Sequence, residues 1–578
     1  MLPSYAQATA TTAGANTEQS PLLSSRSPHS SPRIHISIRF RNRNPTVWPV
    51  VIAVVGLHLI AGYYVFRYLT DHWRSIPPLN TYNVAVIGAG PTGIAAAQYL
   101  HDASRNQNVR FRITIYESKP VVGGVLALHD VNGSSVFPKD DPMQSPIAAE
   151  DIAGNALTWS NALFTRDSQH FLKDNVNVVE LGPENIGYYK NAVKIVSATR
   201  PYRETPLNTW LWMVWNYGSS VWRGDNLAQA GNLRKAIFKV PLVSDIDKIF
   251  SSLGVLKPLR QQAKTTLKDR GISDQYAADI LEPQVQRACG QSLNQVTGLT
   301  AMMAASEEDS ANTYQGGDLL ERLRRIVSEM DDVDVRTSTR VVGIRQAEIS
   351  ENHTAWLVRY EEGTDDSNRN ESIESFDKVI MAAADFSIEF ENSEAPSLAL
   401  LAHYNADAAD TTTTTTTETV KRAESPYIPV YITFFTTREK LSSWYHDDNQ
   451  MLFVEPVEES GEGEGGRGSG MQELAFVREI TDARGWYPRV EYLYRALSRR
   501  PVLEDLKRRI EMTWSYEAKI DSAYPISLPV HSFPSFRLPW AKGLWWTSVI
   551  QRAATSVDLN WLAGKIVARD LIREVLED

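Results

Sequence analysis

Thr81-Tyr-Asn-Val-Ala-Val-Ile-Gly88-Ala-Gly90-Pro91-Thr92-Gly93-Ile-Ala-Ala-Ala-Gln-Tyr-Leu100, followed by Arg112-Ile-Thr-Ile-Tyr-Glu117 and then Gly123-Gly124, is the stretch that decides the fold. Asn83 to Ile87 is rich in β-branched residues and predicts a buried strand, and the glycine turn leads from it without a gap into a helix. Gly88 permits the tight turn, Gly90 lets backbone approach a pyrophosphate, and Gly93 lets the helix pack on the sheet with its amino terminus toward the phosphates. A second strand then ends in Glu117, a carboxylate placed to accept hydrogen bonds from a ribose. Pro91 and Thr92 lie inside the turn and count with the glycines as cofactor-binding candidates. The pattern is that of a Rossmann-like α/β domain, and at this point it serves NAD or FAD equally.

Outward from this stretch, 578 residues suffice for two or three folding units, and the 43% apolar fraction is that of a globular protein. The first 45 residues carry Arg26, Arg33, Arg39, Arg41 and Arg43 against Glu18 alone, so the rest bears −14 of the chain's total of −10. An acidic body of this kind does not bind nucleic acid through bulk charge. Cys289 is the single cysteine, which excludes an internal disulfide and a redox-active cysteine pair. Any electron transfer must therefore use a bound cofactor.

Residues 1–45 are rich in Ser, Thr, Pro and Ala without apolar periodicity and are expected to be a disordered tail. From Thr46 to Phe66 no residue is charged. At about 1.5 Å per residue that is long enough to cross a hydrocarbon core of about 30 Å. A single transmembrane signal anchor is expected there, with 67–80 as a stem. Arginine clusters before the span, which by the positive-inside rule leaves the tail cytosolic and the body lumenal or extracellular, in an endomembrane, vacuolar or lysosome-like compartment. The sequons at Asn132, Asn352 and Asn370 fit that side and a glycoprotein.

Downstream, Ala149 to Asn155 leads toward a helix from about Trp159 to Leu172. Trp210, Trp212, Trp215, Tyr217 and Trp222 suit either a substrate wall or a packed subdomain core. Asp245 to Glu282 predicts two or three helices of an inserted cap. Leu319, Leu320, Leu323, Ile326, Val327 and Met330 form one apolar stripe, and Asp318 is placed to cap that helix. Strands are expected over Val333–Ile344, Phe376–Ala384 and Tyr427–Phe435, and from Gly543 to Gln551 before a helix beginning near Ser556. The threonine run 411–417 and the segment 458–470 predict low-complexity loops within insertions at 405–420 and 456–471.

The spacing from Glu117 to Gly123-Gly124 resembles the large flavoprotein class of amine oxidases, phytoene desaturases and prenylcysteine oxidases. Within that class, Ile280-Leu-Glu-Pro283, Arg287-Ala-Cys-Gly290-Gln291-Ser292, Tyr314-Gln-Gly316-Gly317-Asp318 and Ala523-Tyr524-Pro525 resemble the prenylcysteine oxidase (prenylcysteine lyase) family. The resemblance spans about Tyr82 to Leu571. It implies FAD as cofactor, the Gly123-Gly124 pair near its diphosphate, the Val341 backbone at the adenine, and the last helix facing the flavin pyrimidine near Gln551. It also implies an FAD-binding domain of 81–160, 316–390 and 535–578, interleaved with an α+β substrate or cap domain of 161–315 and 391–534. Two positions depart from the pattern: Val125 where an arginine commonly follows the glycine pair, and Gln551 where glutamate is frequent.

The activity implied is oxidation of a prenylated cysteine thioether to prenyl aldehyde, cysteine and hydrogen peroxide, with a hydrophobic prenyl-type substrate and molecular oxygen as partners; the membrane is a partner through the expected N-terminal anchor. An FAD-dependent oxidase or desaturase of another hydrophobic small molecule is the second reading, and a non-enzymatic prenyl-binding escort the third. No metal site is expected. His531, Tyr524 and Gln291 are the candidates to orient substrate or water, each equally readable as a structural hydrogen-bonding residue.

Overall fold

The structure, a computed structural model, describes residues 56–58, 60–64, 67, 80–127, 162–175, 178–180, 184–190, 193–200, 205–307, 312–314, 319–350, 353–363, 370–383, 389–391, 427–441, 451–454, 471–482, 489–538 and 541–577. Residues 1–78 and 79–578 separate into two units. Of the first, residues 56–58, 60–64 and 67 are helical, with Leu57, Ile60, Tyr63 and Tyr64 exposed. No helix among the described residues is long and apolar enough to cross a membrane. The amino-terminal half of the expected span, the Gly316-Gly317-Asp318 motif and the low-complexity segments 411–417 and 458–470 lie outside the described residues.

The second unit is built on five parallel strands: β1 (Asn80–Ile87), β2 (Val109–Tyr116), β3 (Val333–Arg336), β4 (Lys378–Met381) and β5 (Leu544–Trp546). Their order is β5-β4-β1-β2-β3, all neighbours parallel. Val84 to Ile87 and Ile113 to Tyr116 are buried without alternation, as expected of strands covered on both faces. The chain leaves β1 toward β2 on one side and later fills β4 on the other. The crevice between β1 and β4 is therefore a topological switch point, where ligands of open α/β sheets bind.

Helices α1 (Pro91–Asn106), α2 (Ala162–Leu172), α3 (Leu207–Tyr217), α4 (Ser220–Gly231), α5 (Glu282–Cys289), α6 (Gly298–Glu307), α7 (Leu319–Ser328) and α8 (Val557–Glu577) carry most of the remaining core. The expected inner face of α8, Leu559, Leu562, Ile566 and Leu571, is fully buried. It packs directly on α1, where Gly564 has no side chain to keep the helices apart: a Cβ there would stand 2.2 Å from the Thr92 carbonyl oxygen. Between 246 and 281 the cap breaks into more pieces than expected, four short helical turns and a π-helical segment at Ala277–Leu281.

A seven-stranded mixed sheet forms the other half, in the order Trp514–Pro525, Tyr427–Thr437, Arg489–Ser498, Met471–Asp482, Met451–Val454, Glu184–Lys190, Val193–Arg200. A four-stranded sheet, which includes Thr339–Ser350, lies in sequence between β3 and β4 and just beyond it. Residues 162–172 pack on α8 through a Phe164–Trp561 edge contact at 5.0 Å, and Asp558 of α8 caps their amino terminus.

Candidate active site

The helix α1 begins at Pro91, two residues before Gly93, with Gly90 at its N-cap and no side chain capping it. Proline at the first position sacrifices only an N–H that has no helical partner. No acid occupies the first turn either. The positive end of a 16-residue helix is thus left open at the switch-point crevice, as an anion site requires. A Cβ on Gly93 would stand 1.9 Å from the Gly88 carbonyl oxygen, so this position accepts only glycine without a backbone shift.

Glu117 is buried at the end of β2. Its carboxylate accepts the Ala89 N–H at 2.8 Å and the Lys119 N–H at 3.0 Å, which ties the acid to the phosphate turn. The Ser118 hydroxyl donates to the same carboxylate at 3.4 Å, and of the about four acceptor positions that a carboxylate offers, one remains for a ribose hydroxyl. The Gly123 N–H donates to the Ala89 carbonyl at 3.0 Å and brings the glycine pair onto the same turn. Val341 is buried in the strand Thr339–Ser350, whose first residue donates its N–H to the Glu117 carbonyl at 2.9 Å.

Val125 is exposed and offers no charge. Lys119, which sequence reasoning passed over, does hold the glycine-pair turn: its Nζ donates to the carbonyls of Gly124 at 2.9 Å and Ala127 at 3.3 Å. Burial draws its pKa below the ordinary lysine value, against the pull of Glu117. A lysine two residues after the acid is too common a surface pattern to have announced this contact.

A second group of candidates gathers at a cavity lined by Cys289, Gln291, Met303, Tyr524, Gln551 and Thr555, with Ala288, Ala304 and Ala554 adding apolar wall. Gln551 is not at the end of a strand as expected. Strand β5 stops at Trp546, and Gln551 sits on a separate short helix, Val549–Ala553, before α8. Its amide is held at both ends, Oε1 accepting from the Tyr427 hydroxyl at 2.9 Å and Nε2 donating to Asn560 Oδ1 at 3.2 Å.

Gln291 is brought to the cavity but its amide is consumed. Nε2 donates to the carbonyls of Pro525 at 2.9 Å and Cys289 at 3.3 Å, and Oε1 accepts the Ser527 N–H at 2.9 Å. It ties the end of α5 to the strand carrying Tyr524, a structural role. His531 is an exposed loop residue and does not line this cavity. Of the three orienting candidates, Gln291 and Tyr524 line the cavity and His531 does not. Among the described residues no group of His, Cys, Asp and Glu could hold a metal.

Known proteins resemble the chain at two levels. Residues 86–144 match the model of the NAD(P)-binding Rossmann-like domain, and residues 203–577 match that of prenylcysteine lyase. No curated protein matches. Among solved structures, a triple mutant of putrescine oxidase with redesigned cofactor binding superposes with a TM-score of 0.50 at 14% identity, over 86% of this chain and 100% of that one. Cyclohexylamine oxidase from Brevibacterium oxydans superposes with a TM-score of 0.50 at 13% identity, over 86% and 99%. These likenesses establish the fold, that of a Rossmann-like FAD-binding α/β flavoenzyme.

The chain belongs to the prenylcysteine lyase family, whose model covers well over half of it. It is accordingly an FAD-dependent oxidoreductase, and FAD is its cofactor. The uncapped helix terminus, the close-packed glycine turns and the spare acceptor capacity of Glu117 fit that group.

Proposed function

We propose that the chain oxidises the thioether of a prenylated cysteine. The carbon between sulfur and the allylic double bond loses a hydride; water supplies the aldehyde oxygen; the carbon–sulfur bond breaks, and sulfur leaves as the cysteine thiol. Molecular oxygen takes up the electron pair and becomes hydrogen peroxide. FAD, when bound, accepts the hydride and hands the electrons to oxygen. The observation that carries this reading is the family match over 203–577, which includes both the Gln291–Tyr524 and the Gln551 sides of the cavity.

The chain's own residues have binding and shielding roles in this scheme. Gly88, Gly90, Pro91, Thr92 and Gly93, with the terminus of α1, hold the diphosphate, and Gly123 and Gly124 close over it. Glu117 holds the ribose, the Val341 backbone meets the adenine, and Gln551 is fixed by Tyr427 and Asn560 to meet the pyrimidine. Met303 and the alanines of the cavity wall keep water from the apolar substrate, and Tyr524 orients it. No nucleophile and base pair is needed.

The segment 46–66 is read as the membrane anchor, leaving 1–45 cytosolic and the body lumenal or extracellular. Glycosidase sensitivity of the chain expressed in a eukaryotic membrane system tests that side, and an unglycosylated, protease-accessible body would overturn it. A second reading is favoured by Val125 and Gln551: an FAD oxidase or desaturase of another hydrophobic small molecule. A substrate panel with peroxide detection separates the two. Peroxide and free cysteine from farnesylcysteine support the first; peroxide from another compound with none from farnesylcysteine overturns it.

A further inference from the structure

Helix α3 carries an apolar face turned to solvent. Residues 205–222 contain no charged side chain. The inner face of the helix is fixed by Met213, 1% exposed, and Tyr217, 5% exposed. The Tyr217 hydroxyl donates to Asp279 Oδ2 at 3.3 Å and its ring meets Tyr276 edge-on at 5.4 Å. Trp210 meets Trp222 of α4 edge-on at 5.3 Å. On the other side Leu207, Leu211 and Trp215 follow at four-residue spacing, one above another, and are 71%, 53% and 89% exposed. Trp212 lies beside them, 41% exposed. Helix α7 is the contrast: its outward positions carry Glu321, Arg324 and Arg325.

We propose that this face docks on a lipid bilayer, with α3 lying in the interfacial plane. Tryptophan suits that depth, an apolar body with one N–H for the headgroup region. The helix has 11 residues, about 16 Å at 1.5 Å each, half of what a span needs, so it lies along the surface rather than through it. Asn208 and Asn216 are the polar residues exposed on the helix, and 205–222 carries no charge with which a protein partner could form an ion pair. The chain's own geometry favours the bilayer as well. The uncharged segment ending at Phe66 is joined to β1 by residues 67–79, which reach at most about 45 Å when fully extended. The docking rests on the anchor reading of 46–66 given above. It turns the cap half of the protein toward the phase in which a prenylated or other hydrophobic substrate dissolves.

The test uses the full chain reconstituted into phosphatidylcholine vesicles, with a bimane probe at Leu211→Cys in a Cys289→Ala background. Position 211 is outward-facing, so the label leaves the core intact. The expected result is quenching of the probe by acyl-chain-brominated lipid and loss of quenching by iodide, both insensitive to high salt. Adding Trp212→Ser and Trp215→Ser restores iodide quenching while the flavin absorbance stays unchanged. A reconstituted chain whose probe is fully open to iodide and untouched by brominated lipid overturns the docking alone. Shielding in detergent that rises with protein concentration identifies a second copy as the occupant and overturns it too. A chain that does not float with the vesicles at all overturns both the docking and the anchor.

Discussion

Gly124 lies directly against Gly90: a Cβ built on Gly124 would stand 3.0 Å from the Gly90 Cα. Gly124 is also left-handed, with φ of 60°, where an L-residue costs about 1 kcal/mol or more. The glycine pair thus closes onto the phosphate turn as a lid of bare backbone. Gly124→Ala must push the two turns apart at the place assigned to the diphosphate. The expected outcome is a chain that folds but binds FAD at least about tenfold more weakly, since each 1.4 kcal/mol is tenfold. Flavin fluorescence titration of the apoprotein measures it, and an unchanged dissociation constant would remove the pair from the cofactor site.

Glu117→Gln tests the ribose assignment. The two carboxylate oxygens take the N–H groups of Ala89 and Lys119, and a glutamine amide would turn an NH2 toward one of those donors. A lost hydrogen bond to a charged group is worth about 1.5–3 kcal/mol. FAD affinity is expected to fall by roughly tenfold to a hundredfold. Far-UV circular dichroism should be unaltered, because β2 itself is held by its ladder with β1.

Much of this site was legible in the sequence, because its chemistry depends on local order. Strand, glycine turn, helix, strand and acid follow one another within forty residues, and each is specified by residues beside it. What stayed hidden was set by distant partners. Gln551 reads as the end of a strand until Tyr427 and Asn560 are seen to hold it on its own helical turn. Gln291 reads as a candidate for chemistry until the Pro525 and Ser527 backbone consumes its amide. The tryptophans of α3 were equally suited to a core or a substrate wall, since composition does not say which face meets solvent. Asp167 gives no signal at all in the run Thr-Arg-Asp-Ser, yet it accepts bonds from Tyr99, Arg166, Trp561 and Lys565 and joins three helices.

Gly564→Ala tests whether α8 sets the position of the phosphate-binding helix. The added methyl would meet the Thr92 carbonyl oxygen at 2.2 Å and the Ala95 Cβ at 2.8 Å, both rigid parts of α1. Overpacking of this kind costs about 1–3 kcal/mol. Thr92 is in the first turn of α1, so the displaced backbone belongs to the diphosphate site. A lower unfolding midpoint together with weaker FAD binding is expected. Lost stability with unchanged FAD affinity would mean that the helices yield elsewhere.

The pair Asp558 and Asp167 predicts a pH dependence of stability with two opposite limbs. Burial pushes the Asp558 carboxyl up to about 7, with the nearby Asp167 adding to the rise, while the N–H groups of Phe164 and Leu163 oppose it. Burial also works against the charge of Asp167, but the Tyr99 hydroxyl and the charges of Lys565 and Arg166 hold its pKa below the usual carboxylate value. An aspartate in the unfolded chain titrates near about 3.9. The raised group therefore contributes stability in full below about pH 4, and loses it as pH rises through 7. The depressed group contributes above about pH 4 and loses it as pH falls through its folded value. Asp558→Asn should cost a pH-independent offset of about 1 kcal/mol for the weakened cap of α2. More tellingly, it should flatten the decline of stability between about pH 4 and pH 7, where each pKa unit is worth about 1.4 kcal/mol. Urea unfolding across that range reads both quantities, and equal slopes for the wild type and the variant would show that Asp558 is ionised in the folded protein at ordinary cost.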